Sequence, residues 1–179
     1  MKWYWTAIFL LALLIGGFSC TMDKAEGEPF ADDEAVWRDP ATGLVWEKVP
    51  TSGYVNWMDA NDFCQHLSLG GYNDWRLPTI NELRSLIVGC DGSARGGSCG
   101  VNNNCSNSWC QNEECYSCFH GDGPSNGCFG TTDLPGACNY YWSSSNVPDQ
   151  EDRAWAVGFT SGFVYKPRVF YAFHARCVR

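Results

Sequence analysis

Residues 74–83 have the sequence DWRLPTINEL, which contains the clearest helix start in the chain. Pro78 favours an extended backbone just before it, so the helix must begin later. Thr79 and Glu82 then have the spacing of a capping box, in which each side chain accepts the free backbone N–H of the other residue. Apolar residues follow at helical spacing as far as Gly89, a residue type that commonly ends helices. The stretch therefore predicts a short helix that begins after Thr79 and stops at Gly89.

Two further elements are predicted before this helix. A β-hairpin is expected with strands at Val36–Arg38 and Leu44–Val49, because the residues between them are turn formers. In residues 57–67 the apolar positions have helical spacing, with Asn56 placed as the N-cap and Cys64 on the buried face. The first half of the domain is thus predicted to be a hairpin followed by two short helices.

Antiparallel strands are predicted near the C-terminus. Ser161 and Gly162 have the composition of a two-residue hairpin connection between two of them. The order of elements predicts an α+β domain with an antiparallel sheet. The strands, rich in aromatic and β-branched residues, fall at Tyr140–Ser143, Ala154–Thr160, Phe163–Tyr165 and Val169–Val178.

A cysteine-rich insertion, residues 90–138, separates the helices from these strands. Its only branched aliphatic residues are Val101 and Leu134, so it cannot build an ordinary core. We expect closely spaced disulfides to hold this long loop. The insertion contains eight of the cysteines: Cys90, Cys99, Cys105, Cys110, Cys115, Cys118, Cys128 and Cys138.

Residues 1–19 have the features of a lipoprotein-type signal peptide. Lys2 supplies a positive charge, an apolar run follows, and mostly small residues precede Cys20. We expect cleavage before Cys20 and a lipid on its sulfur, which would anchor the protein at the outer membrane or cell surface. Gly17 and Ser19 would also suit an ordinary signal peptidase, so a periplasmic or secreted protein is the alternative.

The number of cysteines supports the lipid anchor. The chain has eleven, and assigning Cys20 to a lipid leaves an even number that can close as disulfides in an oxidising compartment. Residues 20–35 are rich in acids without apolar periodicity and are expected to form a solvated tether. Residues 36–179 then remain for a single domain.

Charge and hydropathy exclude several classes of protein. The net charge is −8 and the pI is about 4.7, so nucleic acid is not an expected partner, because phosphate binding depends on Lys and Arg. A hydrophobic fraction of 45% is too high for a disordered chain, and no apolar run reaches the length of a membrane-spanning helix. The sequence therefore predicts a globular exported domain.

Five short motifs occur in a characteristic order along residues 36–179. They are Asp39–Trp46, Trp57 and Ala60 ahead of Cys64, Asp74–Thr79 with Glu82 and Leu83, Tyr141–Ser144, and Arg176–Arg179. In this order they resemble the Lcl C-terminal domain family. The resemblance implies a C-type-lectin-like fold, found in bacterial surface and secreted proteins. The member that names the family is a collagen-like adhesin that binds sulfated glycans.

The resemblance also implies one disulfide. In lectin-like domains a cysteine on the first helix pairs with one on the last strand, and Cys64 and Cys177 match those positions. The other eight cysteines would then pair among themselves, in any of 105 connectivities.

A metal site is an alternative to some of the expected disulfides. Cys110, Cys115 and Cys118 have the spacing of plant-type iron–sulfur proteins, and such thiolates can also bind zinc. Export favours disulfides instead, so we expect no metal and no cofactor. Calcium stays an alternative because the loops contain oxygen donors, although they lack the Pro-centred tripeptide of sugar-binding C-type lectins.

No catalytic residue is predicted. Residues 96–100 fit the G-x-S-x-G pattern of serine hydrolases, but no apolar strand precedes them. An enzyme related to sulfatase-modifying factors, which use a lectin-like fold, would need a free reactive cysteine pair and is the less favoured alternative. The histidines, which no motif ties to a nucleophile, are His66, His120 and His174.

Five residues are candidates for ligand binding. Trp142 and Ser143 lie on a strand that borders the ligand-binding loops of lectin-like folds, where a tryptophan face can stack on a sugar ring. Lys166, Arg168 and Arg176 belong to a C-terminal segment without acids that could bind sulfate or carboxylate groups. The alternatives are core packing for the tryptophan and a solvated strand face for the cations.

Four residues of the central motif are expected to be structural. Trp75 would fill the core, and Arg76 would pair with a carboxylate or cap carbonyl groups. Pro78 would set the chain before the helix, and Glu82 would complete the capping box.

These features predict a non-catalytic cell-envelope lipoprotein with an adhesion-type role. Its lectin-like domain would bind a glycan or a protein of the envelope or surface. The alternative is a structural envelope protein whose bridged loop contacts another protein.

Overall fold

The computed structural model describes residues 32–136 and 138–179. The predicted signal peptide, Cys20 and the tether up to residue 31 lie outside the described residues. Within the described ranges, no helix is long and apolar enough to cross a membrane. Short helices, two antiparallel sheets and five disulfides confirm the predicted α+β, disulfide-rich fold class.

The described elements follow one another in a simple order. A helical turn and a hairpin come first, two short helices follow, and a three-stranded sheet with the strand order β3-β4-β5 comes last. In chain order the elements are α1 (Asp32–Ala35), β1 (Val36–Arg38), β2 (Val45–Glu47), α2 (Trp57–His66), α3 (Ile80–Arg84), two 3₁₀ helices (Ser108–Cys110 and Glu113–Tyr116), β3 (Tyr140–Val147), β4 (Gln150–Gly158) and β5 (Phe163–Tyr165).

Local sequence signals explain the starts of both predicted helices. The Asn56 side chain caps α2 by accepting the backbone N–H of Asp59 at 3.0 Å. Thr79 and Glu82 form the predicted capping box on α3. However, α3 ends at Arg84 instead of continuing to Gly89. The chain leaves the helix because the Val88 N–H donates to the carbonyl of Phe129 in the insertion, at 2.7 Å.

The prediction of one continuous last strand at Val169–Val178 is wrong. This segment makes isolated bridges instead, because it passes several partners in turn: Phe173 faces Val55, His174 faces Tyr141, and Val178 faces both Trp46 and Arg76.

The predicted two-residue connection at Ser161 and Gly162 is also wrong. The last pair between β4 and β5 is Gly158 with Phe163, so the connection is residues 159–162. It is longer than predicted because the carbonyl of Phe159 accepts the Phe129 N–H of the insertion.

Five disulfides join the ten cysteines of the described residues. Cys64 on α2 is bonded to Cys177 near the C-terminus, as the resemblance implies. The eight cysteines of the insertion pair among themselves, so no thiolate of the insertion is left for the iron–sulfur or zinc alternative. These four bonds are Cys90–Cys118, Cys99–Cys115, Cys105–Cys110 and Cys128–Cys138.

The core lies in two adjoining clusters. One packs α2 and the Cys64–Cys177 bond against Trp75, Leu77 and Trp142. The other packs α3 and the strands of the second sheet against disulfides of the insertion. The insertion therefore adds sulfur atoms and a few apolar side chains to a core that the rest of the chain builds.

Arg84, the last residue of α3, holds part of the insertion in place. It is only 2% exposed. Its guanidinium donates to the carbonyl oxygens of Ser93 at 2.7 Å, Ala94 at 2.8 Å, and Val101. Desolvation by burial lowers the pKa of this guanidinium from its ordinary value. One cation thus satisfies three backbone carbonyls that lie outside regular secondary structure.

Replacing Arg84 with methionine should destabilise the domain. The variant keeps the apolar length but loses three hydrogen bonds, and each buried carbonyl left without a donor costs roughly 1–3 kcal/mol. We expect the free energy of unfolding to fall by about 3 kcal/mol or more, measured by urea unfolding of the oxidised protein. The exposed neighbour Arg95→Met is the control and should change it by less than about 0.5 kcal/mol. Equal stability of the two variants would contradict the role of Arg84.

Glu47 is a buried carboxyl group at the end of β2. It is 5% exposed, and its Oε2 atom accepts the Cys177 N–H at 3.0 Å. Desolvation raises the pKa of Glu47 to about 7, against smaller lowering effects of the Cys177 N–H and the charge of Arg176. Between pH 4.5, which is its ordinary pKa, and about pH 7, Glu47 keeps its proton in the folded state and releases it in the unfolded chain. The resulting stabilisation is complete below pH 4.5 and is lost as the pH rises through 7.

Glu47→Gln should therefore flatten the pH dependence of stability. An amide cannot ionise, whereas a pKa change of this size corresponds to about 3 kcal/mol lost by the wild type between about pH 4.5 and pH 8. Urea unfolding at about pH 5 and pH 8 measures the difference. The exposed Glu151→Gln should keep the pH dependence of the wild type. If the free energy of unfolding of wild type and Glu47→Gln changed with pH in the same way, Glu47 would not have the raised pKa.

Candidate functional site

Trp142 and Ser143, two of the predicted ligand-binding residues, are fully buried in β3. The Trp142 indole N–H donates to the carbonyl of Val55 at 2.9 Å, and the Ser143 hydroxyl donates to the carbonyl of Trp155 at 2.7 Å. A side chain without exposed surface cannot stack on a sugar ring. The core-packing alternative is therefore the one that fits Trp142.

The neighbouring serines also have structural contacts. Where the register of β3 shifts, the Ser144 N–H donates to the carbonyl of Pro78 at 2.7 Å, and the Ser145 hydroxyl accepts the Ile80 N–H at 3.0 Å. The serine run thus fastens the second sheet to the start of α3.

The four residues expected to be structural surround this junction. Trp75 is buried and donates its indole N–H to the carbonyl of Leu69 at 3.1 Å. Arg76 forms a bidentate pair with Glu82, with both N–O distances at 2.7 Å. Pro78 is fully buried and supplies the carbonyl that Ser144 contacts.

The three predicted cations lie in different environments. Arg176 is 4% exposed and donates to the backbone carbonyls of Glu47, Lys48 and Pro135. Arg168 is half-exposed and lies 3.4 Å from a carboxylate oxygen of Asp152.

Lys166 is partly buried, and it lines an open groove of about 410 Å³ that we call the aromatic groove. The groove does not include Trp142, Ser143, Arg168 or Arg176. Its lining residues are Gln111, Tyr116, Tyr140, Arg153, Tyr165, Lys166, Pro167, Tyr171 and Phe173.

Ring-to-ring contacts hold the wall of this groove. Tyr140 stacks on Phe173 with ring centroids 5.2 Å apart, and it meets Tyr165 edge-on at the same distance. Phe173 in turn packs on Trp142 at 4.7 Å. Trp142 therefore supports the groove from behind and does not line it.

Two cations lie beside these rings. The Arg153 guanidinium donates to the Lys166 carbonyl at 2.8 Å, and the Lys166 ammonium donates to the Ser108 carbonyl at 3.2 Å. Within the described part of the chain, neither cation has a carboxylate oxygen within 4.0 Å. Neither charge is therefore neutralised by a salt bridge among the described residues.

Two phenols of the groove, those of Tyr116 and Tyr165, are neutral hydrogen-bonding groups at physiological pH. Desolvation by burial raises the pKa of Tyr165, whose hydroxyl lies 3.4 Å from those of Tyr140 and Ser161. Burial likewise raises the pKa of Tyr116. The groove therefore combines uncharged hydroxyls, aromatic faces and two positive charges. No cluster of three potential metal-ligating side chains occurs in the described ranges.

The fold and the groove together define a small, disulfide-rich α+β domain with one open aromatic surface. The chain belongs to the Lcl C-terminal domain family, whose profile matches residues 35–179. No curated protein matches the chain.

Replacing Trp142 should reduce stability, because its indole is a core element. Trp142→Ala is expected to cost about 3–5 kcal/mol, the usual range for removing a buried tryptophan. Trp109→Ala is the matched control, since Trp109 is 87% exposed, and it should change the free energy of unfolding by less than about 0.5 kcal/mol. Urea unfolding of the two variants makes the comparison. A Trp142→Ala protein as stable as the control would refute the structural assignment.

Proposed function

We propose that this protein is a non-catalytic envelope lipoprotein that binds an acidic glycan in the aromatic groove. The observation that carries the proposal is that Arg153 and Lys166, which have no carboxylate partner among the described residues, lie beside partly exposed aromatic rings. Cations of this kind bind sulfate and carboxylate oxygens, and aromatic faces pack against the C–H surface of a sugar ring. Membership in a family whose naming member is a sulfated-glycan-binding adhesin is consistent with this chemistry.

The shape of the groove supports a polymeric ligand. It is an open surface groove, and partly exposed rings of Tyr116 and Tyr171 line it. A glycan chain could therefore cross the groove while only a few sugar units contact the protein. A lectin-like, adhesion-type role needs this kind of contact.

Two features of the rest of the chain support the remaining parts of the proposal. The disulfides use all ten cysteines of the described residues, so the free cysteine pair on which sulfatase-modifying enzymes depend is missing from that part. The signal-like N-terminus supports a lipid on Cys20 and an outer-membrane or surface location. The intact mass of the mature protein would show that lipid directly.

Glycan binding should depend on both the cations and an exposed ring. We expect saturable binding to a sulfated polysaccharide such as heparin, weakened by salt and by desulfation of the polymer. Lys166→Gln and Arg153→Gln should each weaken it about tenfold, since a charge-assisted hydrogen bond contributes roughly 1.5–3 kcal/mol. Tyr171→Ala should also weaken binding several-fold. Biolayer interferometry on the full, oxidised chain gives these affinities.

Matched variants test whether the groove is the site. Arg38→Gln removes an exposed arginine outside the groove, and Phe119→Ala removes an aromatic ring that is 77% exposed, also outside it. Neither should change the affinity. Equal binding to the desulfated polymer, or equal losses for control and groove variants, would contradict the proposal.

A protein partner is a second candidate ligand. Two large apolar side chains of the insertion, Trp109 and Phe119, are 87% and 77% exposed, and aromatic residues are enriched at protein interfaces. Photo-cross-linking from position 109 in intact cells would detect a partner bound there. A single cross-linked protein that disappears in a Phe119→Ser variant would favour this function over glycan binding.

A further inference from the structure

The described residues form a second concavity that shares no residue with the aromatic groove. Its volume is about 300 Å³, at the lower end of the range of small-molecule sites. Leu86, Leu134, Tyr141 and Phe159 give it an apolar lining, and Arg176 lies at its wall. We call it the Arg176 pocket.

One wall of this pocket is held by a disulfide and a backbone hydrogen bond. The Cys128–Cys138 disulfide closes the loop that carries Leu134. The Thr131 N–H of this loop donates to the carbonyl of Leu86 at 3.2 Å. These two bonds restrain the loop that carries Leu134, which lowers the entropic cost of ordering it around a ligand.

The charge of Arg176 has no salt-bridge partner among the described residues, and the buried Glu47 carboxyl that it influences has a pKa of about 7, so that this carboxyl is only partly ionised near neutral pH. Its guanidinium donates to three neutral carbonyls, at 2.7 to 2.8 Å, and within the described ranges no carboxylate oxygen lies within 4.0 Å of it. These bonds use three of its five N–H groups. A buried charge that is only partly balanced is costly, so an anion arriving at this wall would be favoured.

The rings opposite Arg176 favour a flat apolar group. Tyr141 and Phe159 line the pocket and pack on each other at 73° with ring centroids 5.5 Å apart, so parts of both rings border the cavity. The Arg176 guanidinium carbon lies 5.7 Å from the centroid of Tyr141. An aromatic ligand could therefore pack on both rings while its charged end reaches the guanidinium.

We propose that the Arg176 pocket binds a small aromatic carboxylate, with its ring among Leu86, Leu134 and Phe159 and its carboxylate on Arg176. The site is independent of the aromatic groove. Failure of glycan binding in the groove would leave this proposal standing, and failure of carboxylate binding in the pocket would leave the glycan proposal standing.

The ligand class is tested with pairs of compounds that differ in charge alone. Benzoate and indole-3-acetate are titrated into the full, oxidised chain near neutral pH, each beside its neutral amide, and binding is followed by protein NMR. We expect saturable shifts for at least one carboxylate and at least tenfold weaker binding of its amide. Absence of binding by both carboxylates, or equal affinity for carboxylate and amide, would overturn the proposal.

Variants place the ligand in the pocket. Arg176→Gln should abolish the preference for the carboxylate, but it also removes hydrogen bonds that stabilise the fold. Leu134→Trp fills the pocket but keeps the Arg176 guanidinium and its three carbonyl partners, and it should weaken carboxylate binding at least tenfold while the thermal midpoint stays near that of the wild type. Lys166→Gln, in the aromatic groove, should bind the carboxylate normally. Unchanged affinity in Leu134→Trp would show that the ligand binds elsewhere and would refute the site.

Discussion

The pairing of the C-terminal residues with β2 and with residue 76 is the interaction on which the rest of the structure depends. Val178 exchanges two backbone hydrogen bonds with Arg76, at 2.9 and 3.0 Å, and Arg179 exchanges two with Val45. The same short segment bonds to α2 through Cys177. Because it lies between the hairpin and the DWRLPT stretch, it ties together elements that are far apart in sequence. The disulfide closes a loop spanning 113 residues, so in the chain-entropy view it also removes much freedom from the unfolded chain.

The insertion is stabilised differently: buried arginine side chains, instead of other backbone N–H groups, donate hydrogen bonds to its carbonyls. A loop with few strands or helices leaves carbonyl groups without donors, and a buried carbonyl without a donor is expensive. A guanidinium has five N–H groups, so Arg84 can satisfy three carbonyls at once where a lysine would match their geometry less well. Arg176 does the same for the chain around Glu47 and Pro135. Disulfides fix the course of the insertion, and these two arginines supply hydrogen-bond donors to its buried carbonyl groups.

Local patterns in the sequence predict the elements better than the site. The N-cap of α2 and the capping box of α3 depend on residues three positions apart, so both could be read without the fold. The early end of α3 depends on the contact of Val88 with Phe129, which no local pattern shows. The aromatic groove is equally non-local, because Tyr116 comes from the insertion, whereas Tyr140 and Tyr165 come from two strands. The sequence of β3 does not show that both of its faces are covered at Tyr141 and Trp142, and for this reason Trp142 could be taken for a ligand-binding residue.

The net negative charge of the chain does not oppose anion binding at either concavity. Residues 36–179 contain ten Lys and Arg against fourteen Asp and Glu, so half of the net charge of −8 belongs to the segment before the domain. Exposed charges more than about 8 Å apart are largely screened at physiological salt. What an anion meets at close range is therefore set by local pairing. Arg168 is matched by Asp152, while Arg153, Lys166 and Arg176 have no carboxylate partner among the described residues. An acidic protein can thus present local positive sites, and their unpaired cations, rather than its overall charge, determine which ligands it can hold.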